Sequence, residues 1–219
     1  MIKLENVSKV YQSANGPVRA LDDVSLSVEQ GEYAAVRGPS GCGKSTLLTI
    51  VGTLGTPTSG KVIIADGDIG AMSLAERADF RAHQIGFVFQ TFHLLPYLNV
   101  IENVMAAVVP DKMAGAKERA GEILEKFQMG HRLTHRPGEL STGECQRVAI
   151  ARAMINHPKL ILADEPTGNL DPANAKEVLD LLDAFHQNGG TVLLVTHEEA
   201  AANRADRTIL LDAGRAVST

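Results

Sequence analysis

A chain of 219 residues is long enough to bury a substantial core and falls within the range of a single domain. Hydrophobic residues make up 44% and charged residues 21%, which excludes a disordered chain or a fibrous repeat. The net charge of -5, with no stretch that concentrates Lys and Arg, argues against a nucleic-acid partner.

From the N-terminus, Met1-Ile2-Lys3-Leu4-Glu5-Asn6 lacks the apolar core of a secretory signal. No run approaches the ~20 apolar residues of a membrane helix, so a chain that is cytosolic by itself is expected. Cys42 and Cys145 lie far apart and form no metal-binding spacing, which fits a reducing compartment.

The apolar run 33–37 reads as a buried strand, and Gly38-Pro39-Ser40-Gly41-Cys42-Gly43-Lys44-Ser45-Thr46 follows it. This stretch fits GxxxxGK[ST], and the apolar spacing of Leu47, Leu48 and Val51 predicts a helix behind it. Glycines let the backbone curl until its N–H groups face phosphates, and the helix adds its positive N-terminal end. Lys44 is expected to reach the β- and γ-phosphates, and the Ser45 hydroxyl to ligate Mg²⁺. Cys42 reads as a small filler residue within the loop. A glycine-rich turn with nothing bound is the plainer alternative, and the strand and helix around the loop weigh against it. Alone, the loop permits kinases, GTPases, motors and transport ATPases alike.

A second strand is expected over 85–89, ending at Gln90. The stretch from Thr91 to Val100 is rich in large apolar residues broken by Pro96, and it reads either as a docking surface or as an ordinary core helix. Ala120, Ile123, Leu124 and Phe127 have the i, i+3, i+4, i+7 spacing of an amphipathic helix, with Gly130 as its stop. Ser141 and Glu144 have the spacing of a capping box, so a helix is expected to begin at Ser141 with its free N–H groups pointing outward. The strand 160–163 then delivers Asp164 and Glu165 to its C-terminal end, the edge where open α/β sheets bind ligands. Asp164 is suited to hold Mg²⁺, through water, and Glu165 to orient or deprotonate an attacking water. Pro172 opens a further helix carrying Val178, Leu181, Leu182 and Phe185, and Gly189-Gly190 closes it. Strands over 192–195 and 209–211 complete a pattern of buried strands alternating with helices, which predicts an α/β domain with a largely parallel sheet.

Leu140-Ser141-Thr142-Gly143-Glu144, the Cys145-Gln146-Arg147-Val148-Ala149 that follows, and Leu160-Ile161-Leu162-Ala163-Asp164-Glu165-Pro166-Thr167-Gly168-Asn169-Leu170-Asp171 together resemble the ABC ATPase family closely. The first block looks like the LSGGQ signature, with Thr142 in place of a glycine and Glu144 in place of the glutamine; the last looks like Walker B running into the D-loop. The resemblance implies a P-loop NTPase fold: a RecA-like core with a mainly parallel sheet, an antiparallel β subdomain and an inserted helical subdomain. Within one domain spanning 1–219, the core would cover about 1–90 and 157–219, and the helical part about 91–156. It also implies that Gly38 through Thr46 bind ATP, while Ser141, Thr142, Gly143 and Glu144 contact ATP held by the other subunit of a homodimer. Gln90 would contact Mg²⁺ and the nucleophile's region, and His197 the γ-phosphate. Tyr11 would stack on adenine, with a strand-edge core tyrosine as the alternative. Asp171 would lie near the dimer seam and could also cap the helix from Pro172.

Gly86-Phe87-Val88-Phe89-Gln90, Leu94-Leu95-Pro96 and Glu102-Asn103-Val104 look most like the MacB, LolD and FtsE group. That likeness implies a hydrolysis-competent subunit, on the inner face of the cell membrane, driving a separate permease docked near Gln90 to Val100. MacB- or LolD-like export or extraction is the leading expectation. The alternative is an FtsE-like ATPase that transmits conformational change to cell-envelope machinery without moving a solute.

Overall fold

The computed structural model describes residues 1–14 and 16–217. The chain begins with two long strands, β1 (Ile2–Ser13) and β2 (Gly16–Val28), paired antiparallel. Then come β3 (Tyr33–Arg37), α1 (Lys44–Val51), β4 (Ser59–Ile64), β5 (Gly67–Asp68), α2 (Leu74–Gln84) and β6 (Ile85–Val88). Between β6 and the next strand the chain leaves the sheet to build α3 (Val100–Met105), α4 (Ala116–Lys126) and α5 (Thr142–Met154). It returns through β7 (Leu160–Asp164), α6 (Pro172–Gln187), β8 (Thr191–Val195), α7 (Glu199–Ala202), β9 (Arg207–Asp212) and β10 (Arg215–Val217).

Two sheets result. One is antiparallel, in the order β2-β1-β4-β5; the other runs β10-β9-β3-β8-β7-β6, with β10 antiparallel and the other five parallel. β3, β7 and β8 are buried on both faces, which is why they read as unbroken apolar runs, whereas β9 alternates between buried and exposed residues. Val36, Leu162, Leu193 and Val195 pack with α1 and the antiparallel sheet, while Tyr33, Ile161, Ala163 and Leu194 pack with α5 and α6. Each fully buried Leu or Val here contributes about 1.5–3 kcal/mol through removal from water.

The expected strands are all present, with small shifts: β6 stops at Val88, β7 takes in Asp164, and β9 is six residues long. The helix expected from Ala120 to Phe127 is α4, but Gly130 is not its stop. Phe127 is the C-cap and Gln128 turns the chain with φ 59, so Gly130 opens a separate 3-10 turn. The stretch from Thr91 to Val100 is not a core helix: 91–99 is loop, and only Val100 enters α3. Among the described residues no helix is long and apolar enough to cross a membrane.

Candidate functional site

The glycine-rich loop joins β3 to α1 at the C-terminal edge of the parallel sheet. Gly43 takes φ 107, and a Cβ there would sit 2.3 Å from the Ala20 carbonyl oxygen, so no other residue fits. The first intrahelical bond of α1 is Leu47 N–H to the Gly43 carbonyl, which leaves the amides of Lys44, Ser45 and Thr46 ahead of it at the positive end of the helix. Lys44 Nζ donates to the carbonyls of Gly38 at 2.8 Å and Pro39 at 3.0 Å, so the ammonium lies folded over its own loop. Cys42 is a buried free thiol in the core, as a filler should be. Its carbonyl accepts from Gly214 N–H at 3.0 Å, and Gly38 lies against the Leu211 carbonyl. The loop therefore rests on the β9–β10 turn.

A cleft of ≈ 320 Å³ is lined by Ala20, Ser40, Gly41, Gly43, Lys44, Ser45, Thr46, Gln90, Asp164 and Glu165. Residues from four separate stretches of sequence thus meet in one place. Burial pushes the Asp164 carboxyl above its ordinary pKa, with the Glu165 charge adding to it, against the opposing pull of the Ser45 hydroxyl and Lys44. A desolvated carboxylate beside a hydroxyl and the Gln90 amide is a set of hard oxygen donors that fits Mg²⁺. No group of three His, Cys, Asp or Glu able to hold a metal exists among the described residues. Mg²⁺ suits such a site, because it keeps several waters and takes substrate phosphates as ligands.

Glu165 follows β7 with φ 47, a left-handed conformation costing a side-chain-bearing residue about 1–3 kcal/mol. Its amide donates to the Val195 carbonyl at 2.9 Å. Its carboxylate accepts from His197 twice, from the ring Nδ1 at 2.9 Å and the backbone N–H at 3.3 Å. That hydrogen bond, then the carboxylate's charge, raises the His197 pKa. The Gln90 carbonyl accepts from Asn169 at 3.1 Å, which ties the end of β6 to the turn after Glu165.

Ser141, Thr142, Gly143 and Glu144 do not line this cleft. Ser141 caps α5 in a full capping box: Glu144 N–H donates to its hydroxyl at 3.2 Å, and Ser141 N–H to the Glu144 carboxylate at 2.8 Å. Ser141 and Thr142 are exposed, whereas Gly143 is buried, and a Cβ on it would lie 2.0 Å from Asn174 Oδ1. In this chain Gly143 is thus required by packing against α6. Asp171 caps α6, accepting from Ala173 and Asn174 amides, which together with the Asn174 side chain hold its carboxyl below the usual range. Tyr11 is 44% exposed on β1 with Lys9 Nζ 4.9 Å from its ring centroid, so it is not a core tyrosine.

The loop 91–99 exposes Tyr97 at 67%, and two polar side chains that sequence reasoning passed over hold it in shape. Buried Asn103 accepts from Leu95 N–H and donates to the carbonyls of Leu95, Leu98 and Asn99. Arg152, on α5, donates to the carbonyls of Phe92 and His93. Ala20 of the cleft was also missed, since nothing marks an alanine as a phosphate-loop neighbour.

The family model described as ABC transporter matches residues 21–168. The lipoprotein-releasing system ATP-binding protein LolD of Geobacter metallireducens is 47% identical over 224 residues, covering 100% of this chain and 98% of that protein. The macrolide export ATP-binding/permease protein MacB of Rhodospirillum rubrum is 45% identical over 219 residues, 99% of this chain but 34% of MacB. Among solved structures, dimeric MJ0796, a bacterial ABC transporter cassette, matches with a TM-score of 0.92 and 39% identity over 100% of this chain and 97% of that one. The same cassette in a post-hydrolysis state bound to ADP and Pi gives 0.91 and 37% over the same shares.

Proposed function

Since the chain belongs to the ABC transporter family and is an ATP-binding, ATP-hydrolysing cassette of it, we propose that two copies close around two ATP to drive a separate membrane permease. The observation that carries this is the one-sided cleft. One chain supplies loop amides, Lys44, Gln90 and both carboxylates, yet the exposed, positively polarised start of α5 lies outside it. In the closed pair, Ser141 and Thr142 of one copy cap the γ-phosphate gripped by Gly38 through Thr46 of the other, and the Asp171 turn lies at the seam.

Lys44 leaves the Gly38 and Pro39 carbonyls for the β- and γ-phosphates, and Tyr11 offers its exposed face to adenine. Ser45, Gln90 and Asp164, the last through water, would hold Mg²⁺, which supplies charge neutralisation between the phosphates when bound. Glu165 orients and deprotonates the attacking water, and His197 reaches the γ-phosphate while fixing Glu165. The same reading divides the single domain 1–219 into a core of about 1–90 and 157–219 and a helical part of about 91–156. The permease docks on Gln90 to Val100, where Leu95 and Tyr97 stand exposed on a loop braced by Asn103 and Arg152. Full-length likeness to LolD supports extraction or export as the task, with the chain peripheral on the inner face of the membrane.

Glu165→Gln tests this. Turnover should fall by about 10²-fold or more, and ATP should trap a dimer visible by light scattering. Hydrolysis at the parental rate would remove Glu165 from its assigned role.

A further inference from the structure

Glu144 stands where the usual signature has a neutral glutamine, and its side chain is only 12% exposed. Burial favours its neutral form, but the Ser141 amide and hydroxyl and the Arg132 guanidinium outweigh that and hold the carboxyl below its usual range. A full negative charge therefore sits in the first turn of α5. One carboxylate oxygen accepts from the Ser141 amide, and the other from Arg132 Nε at 3.0 Å.

Arg132 is itself held in place. Its Nη1 donates to His135 Nε2 at 3.1 Å. The surrounding turn accepts the two leading amides of α3, Val100 N–H to the His135 carbonyl at 2.9 Å and Ile101 N–H to the Leu133 carbonyl at 3.2 Å. The guanidinium is thus preorganised on the same braced piece that carries the loop 91–99.

We propose that Arg132 is a positioning residue for ATP hydrolysis: it neutralises Glu144 so that the start of α5 can approach the triphosphate held by a second copy of the chain. The proposal rests on the cross-subunit reading above. Without Arg132, a carboxylate in the first turn opposes the γ-phosphate and cancels the helix-end attraction that should receive it. A glutamine at position 144 would need no such partner, so the requirement for Arg132 is specific to the carboxylate.

The test uses the full chain in a Glu165→Gln background and reads the ATP concentration for half-maximal dimerisation by analytical ultracentrifugation. Arg132→Met and Arg132→Gln should each raise it about tenfold at about 0.05 M salt, with a smaller rise at about 0.5 M, since screening weakens the repulsion. Arg132→Lys should stay within about threefold. With Glu144→Gln also present, the penalty of Arg132→Met should fall to within about twofold. An undiminished penalty in that double variant, or one indifferent to salt, would overturn the proposal. Ser141→Arg serves as the control for the underlying reading. If it dimerises with ATP as readily as its parent, the cross-subunit contact itself is wrong, however the Arg132 variants behave.

Discussion

His197 holds Glu165, which lines the cleft, through both the ring and the backbone of the histidine. Because the folded-state pKa of His197 is raised, the pair adds stability below the ordinary imidazole value of about 6.5. That contribution is lost as pH rises through the folded value. It is small, since the histidine side chain is 66% exposed. His197 should therefore titrate above an ordinary histidine when followed by NMR, and Glu165→Gln should bring it back down; an unchanged titration would mean that the carboxylate is not its partner in solution. Glu165 was legible because it follows an apolar strand at the ligand-binding edge, whereas His197 was singled out only through the family resemblance. Asn103 and Arg152 were not. Their partners are backbone groups, 59 and 60 positions away for Arg152, and no local spacing announces such a contact.

Element by element, legibility follows how each segment meets water. The central parallel strands β3, β7 and β8 are dry on both faces, so continuous apolar runs reveal them. β1 and β2 are longer but carry register shifts at Leu4/Val7, Val7/Lys9 and Lys9/Val10, which break the alternation that would mark a half-buried strand. α2 buries no residue, and α5 is buried around most of its circumference, so neither shows a clear stripe. α5 was found through its capping box instead. The loop before α3 is shaped by one buried amide rather than by periodicity. Asn103→Ala should speed hydrogen exchange over 95–99 and cost about 1–3 kcal/mol of stability, because it takes away the partner of the Leu95 N–H and of the Leu98 carbonyl and leaves the Leu95 and Asn99 carbonyls with only their backbone donors. Binding of ATP to the phosphate loop should persist. If exchange in that loop is unchanged, Asn103 is not what braces it.

For the whole molecule, the proposed division of each site between two chains makes a stoichiometric prediction. A Lys44→Ala chain lacks the grip and a Ser141→Arg chain lacks the cap, so each alone should be inactive. Mixed in equal amounts, half of the pairs are heterodimers, and each contains one intact grip facing one intact cap. ATPase activity should recover to about a quarter of the parental value. No recovery would show that grip and cap act within one chain.

The phosphate loop stands on the turn between β9 and β10, through the Gly214 amide and the Leu211 carbonyl. The same turn reaches β2, where Asp22 N–H donates to the Gly214 carbonyl at 2.8 Å, and Arg215 pairs with the Asp22 carboxylate. The glycine-rich loop is consequently anchored by a hairpin at the sheet's border, built from residues remote in sequence from it. Under the proposed reading, loosening that border would slacken the hold on phosphate while every motif residue stayed untouched.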